Sequence, residues 1–370
     1  MGNAPKDWDI TSSATPDEIK KIFPRTFDTG IQHGTVTVLV NNNNYEVTTF
    51  RIDGKYTDKR RPSGVSFTKD LEEDLSRRDF TINAIAYNPD TGITDPFNGI
   101  ADIRKKTVRC VGCAGKRFSE DALRMIRAIR FSSQLSFEIE TATYKAIAET
   151  AENISFVSIE RIRDEFTKIL CSKNPAAVLL LKKTGLWVYI MGGRKYEGDI
   201  SQIITWLEKC PKEIPLIYAL FLSEEKDPQA FMKYFKFDNK TINETCIYVS
   251  QLRNELLISR YAVKSVLSRV RYDYFNKLIS LKKIISPRHE NKLELIKLLA
   301  DDIIKSGECI SLKTLDADGR DLGEAGIPAG KTMGFILHML LDMVMKEPLL
   351  NNKSKLIETG LKLYNLHKNH

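Results

Sequence analysis

The sequence predicts an α+β protein, a small mixed α/β head followed by a long all-helical region. Two observations carry this. β-branched runs joined by a short polar stretch fall in the first third, and from about Ser119 the apolar spacing turns helical. At 370 residues the chain has length for two or more domains with a well-buried core.

In chain order, Asp17 to Ile22 reads as a short helix, with Thr15 and Pro16 as N-cap and first helical residue. Ile31 to Val40 and Tyr45 to Ile52 are β-branched runs, and Asn41 to Asn44 between them signals a hairpin. Asp53 to Asp74 is highly charged, contains Arg60-Arg61-Pro62-Ser63-Gly64, and reads as a loop leading into a short helix. Phe80 to Tyr87 returns to apolar character before the turn Asn88-Pro89-Asp90-Thr91-Gly92. Ser119 is placed to cap a helix from Glu120 to Gln134, whose acidic first turn suits the helix dipole. Further helices are expected at Ile159–Cys171, Pro175–Thr184, Ile200–Lys209, Pro228–Phe235, Ala262–Val270, Lys292–Ser306, Lys331–Lys346 and Leu350–His367.

Charge narrows the partners. Lys and Arg number 56 against 48 Asp and Glu, a net charge of +8 and a pI near 9.0. That surplus suits a polyanion such as nucleic acid, and it also fits a basic protein with no such partner. Six dispersed cysteines, with the lone pair Cys110-Val111-Gly112-Cys113, supply neither a zinc ligand set nor a disulfide framework. No apolar run reaches membrane-spanning length, so a cytoplasmic protein is expected.

Asp7 and Asp9 flank Trp8. In extended chain, side chains two apart point to one side, so both carboxylates can share a hard cation such as magnesium. Solvated loop aspartates would give the same pattern. Glu46, on the second strand of the hairpin, is a candidate third carboxylate and base for an attacking hydroxyl, or a solvent-facing strand residue. In Arg77-Arg78-Asp79-Phe80-Thr81-Ile82-Asn83, Arg78 offers a planar fork for phosphate, while Asp79 and Asn83 can reach ribose hydroxyls. A surface ion-pair cluster is the alternative.

On a helix from Glu120, the residues Asp121, Arg124, Arg127 and Arg130 fan over one half, opposite Leu123, Met125, Ile126 and Ile129. Asp121 and Arg124, three apart, could form an intrahelical salt bridge. They could also select a base. Cytosine and adenine each present an amino donor beside a ring-nitrogen acceptor, which a carboxylate and a guanidinium complement. Uracil and guanine reverse that polarity and would leave buried groups unpaired. Arg127 and Arg130 would then reach ribose, phosphates or the stacked neighbour.

Taken together and in this order, five segments resemble the class II tRNA nucleotidyltransferases, the CCA-adding enzymes, and their bacterial poly(A) polymerase relatives. They are Asp7-Trp8-Asp9, Arg77 to Ala84, Asp95-Pro96-Phe97-Asn98-Gly99, Glu120-Asp121-Ala122-Leu123-Arg124 and Glu160-Arg161-Ile162-Arg163-Asp164-Glu165. The likeness runs from residue 4 to about 190, with looser similarity near Asp318 to Gly334. It implies a polymerase-β-like head over 1–115, a helical neck with a nucleotide-selecting helix over 116–190, and a tRNA-binding body and tail over 191–370.

The resemblance also implies addition of C, C and A to the tRNA 3′ end from CTP and ATP. Asp7 and Asp9 would hold Mg2+, Arg78 would meet the triphosphate, and Asp121 and Arg124 would form an amino-acid template. Arg127 and Arg130 would stand beside them, and Glu160 to Glu165 would lie on a helix supporting the template. The charged stretch Lys55 to Asp74 matches the family's flexible loop for the switch from C to A. An ATP-only poly(A) polymerase is the neighbouring expectation. Family members carry a strand and a glycine-rich turn with Val-Arg-Asp ahead of the paired aspartates. Here Met1 to Lys6 leads straight into Asp7, so the head is expected to be N-terminally truncated, and a catalytically incompetent RNA-binding fragment is a third expectation.

Overall fold

The computed structural model describes residues 8–54 and 64–368. It divides into two compact units, Met1–Glu208 with Ala230–Phe237, and Lys209–Gln229 with Asp238–His370.

The first unit opens with β1 (Ile10–Ser12), α1 (Pro16–Ile22), β2 (Thr26–Gly30), β3 (Thr35–Val40) and β4 (Asn43–Thr49). These strands form one sheet in the order β1-β4-β3-β2, with β1 parallel to β4 and the other pairs antiparallel. The hairpin turns on Asn41 and Asn42, at φ 50° and 62°. Two consecutive left-handed residues make the turn whose twist matches that of the flanking strands, and Asn tolerates that region best after Gly. Alternation along β3 and β4 sends Val36, Val38 and Val47 against Ile19 of α1. Thr35, Thr37, Glu46 and Thr48 therefore lie on the other face. A reciprocal cap fixes the start of α1, since Thr15 accepts from the Glu18 amide and the Glu18 carboxylate accepts from Thr15.

Two boundaries differ from the sequence reading. The run from Ile31 becomes strand only at Thr35, because Ile31–His33 forms a 3-10 turn closed by left-handed Gly34. There a Cβ would come within 2.8 Å of the Phe67 ring. The second run divides at Phe50, and its end is β5 (Arg51–Asp53), paired with β6 (Val65–Phe67). Strand β2, polar and unannounced by periodicity, joins the sheet through β3.

The chain continues through α2 (Leu71–Ser76), a 3-10 turn at Thr81–Asn83, the hairpin of β7 (Ala86–Asn88) and β8 (Gly92–Thr94), α3 (Gly99–Arg104) and β9 (Thr107–Val108). Helical structure follows in α4 (Ala114–Glu120), α5 (Leu123–Leu135), α6 (Thr141–Thr150), α7 (Ile159–Leu170), α8 (Val178–Lys183), α9 (Leu186–Ile190) and α10 (Ile200–Lys209). Between α5 and α6, β10 (Glu138–Ile139) pairs with β9.

The expected helix from Glu120 to Gln134 is in fact two helices. Ser119 lies inside α4 and donates to the Gly115 carbonyl, so it caps nothing. Asp121 is extended, at φ −137° and ψ 105°, and its carboxylate accepts from the Leu123 amide as α5 begins. An aspartate competes for backbone donors at the restart of a helix better than it sits inside one, which is why the break falls there.

The remaining helices are α11 (Ile214–Phe221), α12 (Pro228–Tyr234), α13 (Asn239–Arg253), α14 (Arg260–Leu267), α15 (Tyr272–Ile285), α16 (Glu290–Lys305), α17 (Gly319–Glu324), α18 (Lys331–Lys346) and α19 (Lys353–Lys368). In the second unit one apolar cluster gathers Val263, Leu267, Phe275, Ile279, Ile296 and Ile303. A second gathers Leu322, Ile327, Ile336, Leu340, Val344 and Leu356. Among the described residues, no helix is long and apolar enough to cross a membrane.

Candidate active site

The polar face of the head sheet carries the candidate metal ligands. Asp9 stands one residue ahead of the Ile10–Val47 pair, so the parallel register carries it to the position beside Glu46. Glu46 in turn opposes Thr37 on β3. Both carboxylates are exposed, and neither meets a cation among the described residues. A groove of about 590 Å³ on this face is lined by Phe27, Thr29, Thr37, Asn44 and Glu46. Two oxygen-donor side chains on neighbouring strands suit a hard cation. Asp7, the second aspartate of the pair, lies outside the described residues. Among those described, no three His, Cys, Asp or Glu gather as a metal cluster.

The Arg78 segment hangs on a glycine. Asp95 accepts from the Gly99 and Ile100 amides at 2.6 and 2.9 Å, fixing the start of α3. A Cβ on Gly99 would lie 2.2 Å from the Thr81 carbonyl oxygen, so this helix can approach the 3-10 turn only with glycine there. That turn presents Asn83, whose carbonyl accepts from Arg78 Nη1 at 3.2 Å. Asp74, fully buried, holds Arg77 at 2.8 Å and Arg78 at 3.6 Å. Arg78 Nε is buried without a hydrogen-bond partner, which leaves a donor for an anion.

Asp79 has partners of its own within the protein. It is 8% exposed. One oxygen accepts from the Phe80 amide and Asn83 Nδ2, and the other from Arg127, at 2.6 Å to Nη2. Burial alone would raise its pKa, but Arg127 and Asn83, helped by Arg124, outweigh that and hold the carboxyl below its ordinary range. Asp79 and Asn83 thus serve here to fix Arg127.

Asp121 and Arg124 do not bridge each other. Arg161 of α7 grips Asp121 through Nη2 at 2.8 Å and Nη1 at 3.4 Å. Arg124, 8% exposed, donates to Glu120 at 2.9 Å and to the Arg77 carbonyl at 3.0 Å. The break between α4 and α5 makes this possible, because Asp121 is extended at the start of α5, where its carboxylate meets the Leu123 amide and Arg161 while its carbonyl accepts from the Arg124 amide. Arg130 pairs with Glu165 of α7 at 2.5 Å and lies 3.8 Å over the Phe131 ring. Three arginines of α5 are therefore each held by a carboxylate of another segment or of α4. Glu120, four residues before Arg124, was available as a partner from helical spacing. Arg161 and Glu165 were not, since only the packing of α7 on α5 brings them near.

Known proteins resemble this chain over most of its length. A model described as "Poly A polymerase head domain" matches residues 1–109, "Probable RNA and SrmB- binding site of polymerase A" matches 136–193, and tRNA nucleotidyltransferase domain 2 matches 212–359. A CCA-adding enzyme of Lactobacillus johnsonii is 38% identical over 95% of this chain and 87% of its own. The chain belongs to the class II CCA-adding enzyme and poly(A) polymerase family. Another member, the CCA-adding enzyme of Listeria monocytogenes, is 43% identical over 71% of this chain and 69% of its own. The crystal structure of the Bacillus stearothermophilus CCA-adding enzyme in complex with CTP superposes with a TM-score of 0.81 at 30% identity, covering 100% of this chain and 91% of that one. In the terms of this family, the chain is a mixed α+β nucleotidyltransferase head followed by a long helical region.

Proposed function

We propose that this chain adds C, C and A to the 3′ end of tRNA, taking CTP and then ATP. The observation that carries it is the divided helix, where Asp121 and Arg124 are held apart by Arg161 and Glu120. Each side chain is oriented by a partner of its own, which supports their use as a template for an amino donor beside a ring-nitrogen acceptor. Guanidinium groups at Arg78, Arg127 and Arg130 would meet the triphosphate and ribose.

Asp7 and Asp9 would hold Mg2+, with Glu46 as the third carboxylate beside Asp9. When bound, the ion neutralises the phosphates and favours the deprotonated hydroxyl. Glu46 would take the proton of the tRNA 3′-hydroxyl. The oxygen so freed attacks the α-phosphorus, a new phosphodiester forms, and pyrophosphate leaves. The division of labour follows the head at 1–115, a neck at 116–190 that selects the nucleotide, and a body and tail at 191–370 that hold the tRNA.

The test is incorporation of labelled CTP and ATP into tRNA lacking its 3′ CCA, with the product sequenced. Stepwise C, C, A is expected. Incorporation of ATP with CTP ignored would replace this reading with poly(A) addition, and tRNA binding without incorporation would leave an RNA-binding role alone.

A further inference from the structure

In the second unit, a cavity of about 260 Å³ lies among the end of α13, the end of α15 and the start of α16. Its basic side chains are Arg253, Lys282, His289 and Lys292, and its one carboxylate among the described lining residues is Glu255. Leu252, Leu256 and Leu293 supply apolar wall. Glu255 pairs with Lys292 at 2.6 Å but is itself 74% exposed, so it sits at the rim. Arg253 turns its guanidinium to the Ser223 carbonyl at 2.9 Å.

Lys282 is the centre of the case. Its ammonium donates to the carbonyls of Leu252 and Asn254, at 3.2 and 2.6 Å, at the C-terminus of α13. Two of its three donors are thereby used and one remains. Burial pushes its pKa down to about 8; Glu255 opposes the shift, and Lys292 adds to it. The one carboxylate acting on it, Glu255, is paired with Lys292 at the rim. Capping α13 needs one ammonium. It does not need Lys292 and His289 on the same wall, nor an open cavity between them.

We infer that this cavity is a phosphate subsite, built by Lys282, Lys292 and His289. A phosphate oxygen would take the remaining Lys282 donor, and its charge would face a wall on which basic side chains outnumber the one carboxylate. An RNA backbone and a free phosphate compound share that chemistry. The RNA source rests on the function proposed above; the subsite itself does not.

Two probes test it on the full chain: inorganic phosphate, followed by 31P line broadening, and tRNA lacking CCA, bound across a salt series. Phosphate is expected to saturate wild type. It should bind several-fold more weakly to Lys292→Ala and His289→Ala, neither of which removes a helix cap, and more tightly to Glu255→Gln. If the source is RNA, Lys292→Ala also lowers the slope of log K against log salt by about 0.7 to 0.9, the loss of one phosphate contact. Unchanged tRNA slopes with weakened phosphate binding assign the site to a free phosphate compound. Phosphate binding that is absent, or indifferent to all three substitutions, overturns the subsite. CTP incorporation by the same wild-type preparation reports separately, so its failure would overturn the function proposed above and leave the subsite standing.

Discussion

Asp79 and Arg127 illustrate how one residue sets another at this site. Arg127 is half-buried, 34% exposed, and lies 2.6 Å from buried Asp79; its own pKa is raised, with desolvation opposed by that carboxylate. Removing the carboxylate leaves a half-buried guanidinium, the Phe80 amide and Asn83 Nδ2 without their partner. Asp79→Ala is expected to cost about 1.5 to 3 kcal/mol of stability, read from denaturant unfolding, because water reaches part of the guanidinium that remains. The sign of the pH effect follows from the depressed folded pKa. The contribution of Asp79 is full above the unfolded value near 3.9 and is lost as the pH falls through the lower folded value. Asp79→Asn should therefore flatten the acid limb of the stability profile, and an unaltered limb would rule the pair out as its source. For selection, Arg124→Ala should reduce the preference for CTP over UTP by about ten-fold or more, since a hydrogen bond to a charged group is removed. Affinity for tRNA should hold, and an unchanged CTP to UTP ratio would remove the pairing idea. Asp9→Ala should abolish turnover and spare tRNA binding; retained turnover would exclude a metal role.

At the scale of elements, the decisive features are interruptions. The break at Asp121 separates α4 from α5, and Arg161 reaches it across 40 residues of sequence. The sequence reads that stretch as one helix because Leu123, Met125, Ile126 and Ile129, all within α5, set a helical stripe and the acidic Glu120-Asp121 just ahead of them resembles its first turn. What divides it is a side chain competing for the Leu123 amide, a local event that periodicity averages over. The close approach of α3 makes a second case. Gly99→Ala would drive a methyl into the Thr81 carbonyl and displace the turn that presents Asn83 to Arg78. Turnover is expected to fall with a higher KM for nucleotide, and the head should melt at a lower temperature than in wild type. In the hairpin, Asn42→Val places a β-branched residue at φ 62°, and a loss of about 1 to 2 kcal/mol is expected. The legible part here was the hairpin itself and the cap of α1, since both follow from residue chemistry within a few positions.

Across the chain, charge and partner agree in sign. A net charge of +8 suits an RNA ligand, and the two units each close their own apolar clusters. Wild-type tRNA affinity should accordingly fall linearly in log salt, with a slope that counts the phosphates neutralised. A flat salt response would separate the basic composition from any role in binding. Several helices of the second unit, including Asn239–Arg253 and Tyr272–Ile285, escaped the sequence reading. Their apolar residues mix with Asn, Lys and Tyr at irregular spacing, and neighbouring helices bury them in place of a clean stripe.

By itself the sequence determined the class of fold, the family, and the residue types of the site. Paired aspartates, the Arg78 segment, the Gly99 turn and the Asp121–Arg124 segment are all local patterns, and their chemistry is fixed by residue type and near-neighbour spacing. Only tertiary structure decided who holds whom. Asp9 stands beside Glu46 through a parallel pairing of β1 with β4, Asp121 answers to Arg161, and Arg130 answers to Glu165. Those partners are far apart in sequence, and charge attraction sets no register over such distances. Packing of apolar faces brings the elements together first, and the buried charges then take the partners that packing leaves within reach.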